Sequence, residues 1–324
     1  MHRGRTVIEG QPGAKQVEAD DRGESVDEAP VPPAGTGMEL TSLLEPTLPL
    51  TLMLITFSLG LGLTGADFRR VATAPRGFLA GLLVPVLLLP LVALGLVLGF
   101  GLEGELALGV MILSVCPGGV TSNVLTRVAR GSVALSVTLT GVISLTAIVT
   151  APVLIGLWMR MFFGADAPPI DIAALIAAML ALTGVPITAG MVLRAAAPPL
   201  AMRLERWALR VGVAGFAAIL AATAAGNHAL LLSGVAEAGP ILLALAGAML
   251  GLGWVLARAW VRDRRERIAV SIEAAIQNGP VGVTVGTLIE SSGGLSGVAM
   301  PSGLYAVAMY AVAAPVILIA RRRP

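Results

Sequence analysis

Nine mostly apolar stretches alternate with short polar connections along the chain, at about 46–64, 77–99, 104–128, 132–158, 171–193, 207–227, 237–259, 268–290 and 298–320. Each holds about 20 residues or more, which at about 1.5 Å rise per residue matches the roughly 30 Å hydrocarbon core of a bilayer. The pattern predicts an all-α membrane protein with nine spanning helices. Two of the nine are interrupted. One breaks at Cys116-Pro-Gly-Gly-Val-Thr-Ser-Asn123. The other carries Glu273 and then Gln277, Asn278, Gly279 and Pro280 before apolar sequence resumes. A carboxylate at that depth costs roughly 2–4 kcal/mol on insertion scales and needs a compensating partner. Opened backbone survives in a membrane only where it is buried in protein or lines a polar cavity. Broken helices in two separate halves point to a secondary transporter with an ion and substrate site near the midplane.

The arginines give an independent test of this threading. Arg69, Arg70 and Arg76 fall on one side, then Arg127 and Arg130, then Arg194, Arg203, Arg206 and Arg210. Arg258, Arg262, Arg264, Arg265 and Arg267 follow, and finally Arg321, Arg322 and Arg323. After the N-terminal tail, only Arg160 falls on the other side, whose loops are acidic or neutral. By the positive-inside rule the arginine-rich side is cytoplasmic, so the C-terminus is inside and, with nine spans, the N-terminus is outside. The expected location is the cell (inner) membrane. Trp158, Trp207 and Trp260 sit near helix ends, where interfacial anchors belong. The breaks lie 155 residues apart, counted from Asn123 to Asn278, which fits two inverted repeats, one lacking its first helix. Residues 1–37 are rich in Glu, Asp, Gly and Pro and are expected to be a disordered tail, with Met38 as an alternative start. They hold no apolar core of signal-peptide type.

Composition narrows the function classes. With 56% hydrophobic residues, 13% charged residues and a mean hydropathy of +0.87, the chain is no ordinary soluble domain. Cys116 is the single cysteine, which excludes an intrachain disulfide, and it reads as a packing residue. His2 in the tail and His228 in an expected outer loop cannot join it in a metal centre. No phosphate-cradling loop and no basic-aromatic surface for nucleic acid is present. No nucleophile–base pair can be assembled among the intramembrane residues, so no catalytic residue and no cofactor is expected.

Chemistry concentrates at the breaks. Thr121, Ser122 and Asn123 supply oxygens, and the next helix repeats hydroxyls at Ser132, Ser136, Thr140 and Ser144. Each step of four residues advances about 400°, so these hydroxyls form one stripe. Hydroxyls in membrane helices often just bond their own carbonyls. Four in register beside a broken helix instead suit sodium, a hard cation that seeks about five or six oxygens. Glu273 would supply the neutralising charge. The competing readings are a protonated Glu273 acting as a proton carrier, and an ion pair, for which no arginine lies at comparable depth. Asp67 reads as a loop or capping residue.

CPGGVTSNVLTRVARGSVALSVTLT (116–140) and IEAAIQNG (272–279) resemble the two signature regions of the bile acid:sodium symporter family. Supporting similarity runs through LGLTGADFRRVATAPRGFLAG (61–81) and PSGLYAVAMY (301–310). The resemblance covers essentially the whole chain after Met38. It implies two inverted repeats, with the crossed broken helices in a core domain (about 77–158 and 237–320) and a smaller panel domain (about 46–64 and 171–227), both within 38–324. Nine helices agree with members that lack the first of ten. Carried over by position, the first sodium site falls on Ser122, Asn123, Ser136, Thr140 and Glu273. The second uses Glu273, Gln277 and carbonyls near Ala274 and Ile276, and also expects a glutamine where this chain has Pro85. That departure leaves three outcomes open: loss of the second site, rebuilding by water, or replacement by a proton. Met309 and Tyr310 stand where bile-acid-transporting relatives can place His and Asn, which argues against a bile acid.

Half-helices restarting after each break aim their N-terminal amides at the crossing, which favours a carboxylate or sulfonate. Thr121, Asn278 and Gly279 are the candidate substrate contacts. The sequence thus points to sodium-coupled symport of a small organic anion by alternating access. The alternatives are a proton-coupled or uncoupled carrier using Glu273 and, more remotely, a membrane sensor or intramembrane enzyme.

Overall fold

Apolar periodicity becomes helix almost everywhere in the computed structural model. Backbone is described for residues 35–73, 75–226, 228–293 and 297–322, and side chains for 47–69, 75–225, 232–291 and 297–318. Most of the expected N-terminal tail therefore lies outside the described residues. Helix α1 (Gly35–Gly62) is followed by short α2 (Gly65–Thr73). Next comes a continuous rod of α3 (Pro75–Leu83), a π-helical turn (Val84–Leu88) and α4 (Leu89–Phe100). The first break separates α5 (Gly104–Val115) from α6 (Thr121–Val128), and long α7 (Val133–Phe163) follows. A second rod joins α8 (Ile172–Met179), a π-helical turn (Leu180–Gly184) and α9 (Val185–Ala196). Helices α10 (Pro198–Gly226) and α11 (His228–Trp260) lead to the second break, between α12 (Arg264–Ala275) and α13 (Gly279–Gly293), and α14 (Met300–Arg322) closes the chain.

Among the described residues, six helical segments are long and apolar enough to cross a membrane: Pro75–Phe100, Val133–Asp166, Ile172–Ala196, Pro198–Ala225, Leu232–Trp260 and Met300–Leu318. The remaining expected spans are α1 and the two broken helices. The uninterrupted parts of the broken helices are shorter, because each gives up its hydrogen-bond ladder partway along. The turns also extend beyond the apolar windows. Helix α11 starts at His228, where the sequence suggests a loop, because hydrogen-bonded turns continue past the point where hydrophobic composition ends.

The broken helices lie innermost. Every residue of α5 from Ala107 to Val115 is buried, as is every residue of α12 from Ile268 to Ala275. A helix that is apolar on all sides must be sheathed on all sides, which is what allows its backbone to open at depth. Around them, α11 packs on α12 and α14, and α5 packs on α7. Helices α1, α9 and α10 form a separate cluster around Ile55, Leu59, Ile187 and Phe216, meeting the breaks through Val120 and Val283. With no hydrophobic drive separating helix from lipid, close packing of small residues carries such contacts. A Cβ added at Gly190 of α9 would lie 2.6 Å from the Phe57 carbonyl oxygen of α1, so only glycine permits this approach.

Candidate ion-binding site

The two breaks cross and hold each other by backbone. Gly118 and Gln277 form an isolated antiparallel bridge. The Gly119 amide donates to the Ile276 carbonyl at 3.1 Å, and the Asn278 amide donates to the Pro117 carbonyl at 2.8 Å. Proline and glycine open each helix, and the exposed groups of one break satisfy those of the other. That answers the demand that no backbone group be left unpaired away from water.

Glu273 lies in the last turn of α12, against Gly118 of this crossing, and is fully buried. Its carboxylate accepts from Ser122 Oγ at 2.6 Å, Thr140 Oγ1 at 2.7 Å and Ser136 Oγ at 3.1 Å. The hydroxyls also approach one another, with Ser122 Oγ 3.5 Å from Ser136 Oγ and 3.4 Å from Thr140 Oγ1. Thr140 Oγ1 lies 3.5 Å from Asn123 Oδ1, which brings the amide oxygen to the edge of the group. Gly118 leaves the room: a Cβ there would run into the Glu273 carboxylate. The register arises from one contact at the start of both helices, where the Ser132 amide donates to the Arg265 carbonyl at 2.8 Å. From that anchor, α7 and α12 run side by side, so residues one and two turns along α7 meet Glu273. Ser132 itself caps α7, its hydroxyl accepting from the Leu135 amide at 3.4 Å. Ser144 is buried with no hydrogen-bond partner for its hydroxyl.

Five residues with oxygen donors thus converge: Ser122, Asn123, Ser136, Thr140 and Glu273. Among the described residues no cluster of three or more His, Cys, Asp or Glu side chains occurs. The oxygen-only, singly charged set matches a hard monovalent cation better than a soft one. Gln277 is also buried; its amide nitrogen donates to the Ala274 carbonyl at 3.2 Å, while its Oε1 has no partner. Pro85 lies in the π-helical turn against a cavity of only about 20 Å³, beside Cys116, Ile143 and Ala147. The Cys116 thiol faces the Ile112 carbonyl at 3.2 Å, as a packing residue does.

The three expected substrate contacts are placed differently. Asn278 is buried and its Oδ1 accepts from the Val281 amide at 3.3 Å, capping α13. Gly279 is packed against α14, where a Cβ would meet Ala306 Cβ at 2.7 Å. Thr121 Oγ1 accepts from the Tyr310 hydroxyl at 2.8 Å. Asp67 accepts from the Thr64 amide and hydroxyl at 2.8 and 2.6 Å, a capping arrangement at α2.

Sequence reasoning passed over two anchors. Tyr305 is fully buried and its hydroxyl donates to the Ala275 carbonyl at 2.8 Å, tying α14 to the end of α12. Tyr310 does the corresponding work at the start of α6. The signal was present: the chain has only two tyrosines, and both lie on α14. Five residues apart on a helix, they point in different directions, one to each break.

The sodium bile acid symporter family matches residues 49–234. An uncharacterized sodium-dependent transporter of Bacillus subtilis, YocS, is 32% identical over 254 residues, covering 78% of this chain and 76% of that protein. The ileal sodium/bile acid cotransporter of Oryctolagus cuniculus is 28% identical over 74% of this chain and 68% of its own length. A probable sodium/metabolite cotransporter of Arabidopsis chloroplasts, BASS1, is 29% identical over 71% of this chain, which spans only 56% of that protein.

Proposed function

The chain belongs to the sodium bile acid symporter family, and we propose that it couples sodium entry to uptake of a small organic anion. The observation that carries this reading is the buried Glu273 carboxylate, met by three hydroxyls from two other helices. Sodium would sit among Ser122, Asn123, Ser136, Thr140 and Glu273, with Gln277 contributing to a second position. In that site the carboxylate stops being a buried charge held only by hydroxyl donors and gains a direct counter-charge. Cation binding would therefore hold the crossed breaks together, and the substrate would bind beside them near Thr121, Asn278 and Gly279. Alternating access would move the panel (α1, α8 to α10) against the core that holds the crossing. The separate packing cluster of α1, α9 and α10 supports this division.

A second reading is proton-driven or uncoupled carriage on Glu273. It draws support from Pro85, which offers no side-chain oxygen where the second ion would need one. Uptake of radiolabelled small carboxylates into proteoliposomes separates the two. Under symport, an inward sodium gradient raises the initial rate several-fold, and a proton gradient without sodium does not. A rate that follows the proton gradient and ignores sodium would overturn the symport reading.

The threading is nine spans in two inverted repeats within the inner membrane, with the arginine-rich face cytoplasmic. A cytoplasm-dependent reporter fused after Arg323 should be active, and one inserted within 228–236 should be silent. The reverse pattern would remove this topology.

A further inference from the structure

Near its start, α10 carries Arg203, Arg206, Trp207 and Arg210, and all four side chains are exposed. At about 100° per residue, Trp207 stands about 40° to one side of Arg203, with Arg210 about 20° and Arg206 about 60° to the other. The four share one face. The opposite side packs on α1, where a Cβ on Gly212 would meet Ile55 at 2.6 Å. Glu205, the one carboxylate of α10, also turns that way: a Cβ on Gly62 would come within 3.3 Å of its Oε1. Its electrostatic neighbours are Arg194, Arg127 and Arg206. Among the described residues no carboxylate pairs with Arg203 or Arg210. The Arg210 guanidinium instead lies over the Trp207 ring, 5.8 Å from its centre. By contrast, the arginines from Arg258 to Arg267 are interleaved with Asp263 and Glu266. Of the six long spans α10 is also the least covered, with 17% of its apolar stretch buried against 33–50% in the others. Above the arginines, the same face continues through exposed Ala214, Ala217 and Ala221.

We propose that this face of α10 binds an anionic phospholipid, its phosphate on Arg203 and Arg210 and an acyl chain along the alanines. A guanidinium offers paired N–H donors that match phosphate oxygens. Stacking on Trp207 holds the Arg210 guanidinium in place while its in-plane N–H groups stay free to donate. The indole ring also belongs at headgroup level, where its apolar body and polar N–H are both accommodated. Charge selects among lipids. A zwitterionic headgroup would bring an ammonium to three guanidiniums and find no carboxylate there, whereas an anionic one meets only attraction. Charge also disfavours a second copy on this face. A two-fold axis along the membrane normal would set arginine against arginine at one depth. The small alanine side chains let an acyl chain lie close to the helix, which a headgroup without chains cannot use. The threading supplies only the leaflet, the one at the arginine-rich side. Neither the coupling ion nor the cargo enters.

The test uses the purified full-length protein in neutral detergent, stripped of lipid. Dioleoyl phosphatidylglycerol is the probe, dioleoyl phosphatidylcholine the zwitterionic control and glycerol 3-phosphate the headgroup without chains. Native mass spectrometry should count phosphatidylglycerol bound in preference to phosphatidylcholine, with a matching rise in melting temperature. Arg203→Gln and Arg210→Gln should each weaken it about fivefold, and the double variant about twentyfold. Trp207→Leu, which stays apolar, should weaken it about threefold through loss of the ring under Arg210. These side chains are exposed, so melting without lipid should not change. Arg258→Gln with Arg262→Gln removes the same charge from the end of α11 and should leave binding within twofold of wild type. Equal losses from the two double variants would overturn the proposal, because attraction would then be a property of the whole basic side. Phosphatidylcholine bound as well as phosphatidylglycerol would also overturn it. So would displacement of the lipid by glycerol 3-phosphate, which would make this a site for a soluble anion. A dimer carrying no phosphatidylglycerol would give the face to a second copy and likewise end the lipid reading.

Discussion

Glu273→Gln should abolish the sodium dependence of uptake while leaving the protein folded and inserted. At an effective dielectric of about 20, a unit charge about 2.5 Å from a cation is worth several kcal/mol, so at least a roughly hundredfold loss of sodium affinity is expected. Glutamine keeps an acceptor oxygen for the hydroxyls of Ser122, Ser136 and Thr140, and hydroxyls can rotate to accept from its amide. Removing a fully buried charge also removes its desolvation cost, so thermal stability without sodium should hold or rise. Thr140→Ala and Ser136→Ala should weaken sodium binding by much less, about fivefold each, because each removes one neutral ligand of several. The measurement is uptake, or the sodium-induced rise in melting temperature, as a function of sodium concentration. Superimposable curves for wild type and Glu273→Gln would sink the coupling mechanism, though not the fold.

Gly119→Ala should damage the protein more broadly than any single ligand substitution. The added Cβ would lie 2.8 Å from the Gln277 carbonyl oxygen and 3.3 Å from its carbon. These are backbone atoms, and they cannot retreat without stretching the Gly119–Ile276 and Asn278–Pro117 hydrogen bonds that hold the breaks together. Overpacking of this kind costs about 1–3 kcal/mol. The hydroxyl cage also depends on the crossing, so transport should fall further than stability does. Gly95→Ala is the matched control: a Cβ there meets nothing within 4 Å, and alanine favours helix by about 1 kcal/mol. The melting temperature should drop by several degrees for Gly119→Ala and stay level or rise for Gly95→Ala. Equal melting of the two variants would mean the crossing tolerates separation and does not organise the site.

Much of the site was legible because its signals are local and costly. A carboxylate, two amides and a Gly-Pro pair inside apolar sequence cannot be accidental at membrane depth, and they marked Glu273. The four-residue spacing of Ser136 and Thr140 placed both on the face that meets it. The same spacing overreached at Ser132, which caps α7, because periodicity reports a shared face and not a shared partner. Asn278 and Gly279 were singled out for their chemistry, and their structural parts, capping α13 and packing on α14, were not legible in the sequence. A break needs residues to end and restart its helices, and those residues have the same polar or small character as ligand contacts.

Apolar length, interruption and arginine placement are properties of neighbouring residues measured against a membrane of given thickness, so the sequence by itself determined the helical class, the two breaks and the buried carboxylate. The tertiary structure decided what depends on distant segments meeting: Gly118 against Gln277, Tyr305 on Ala275 and Tyr310 on Thr121. A hydroxyl or an amide is equally compatible with many partners, and only the packing of helices distant in the sequence selects one.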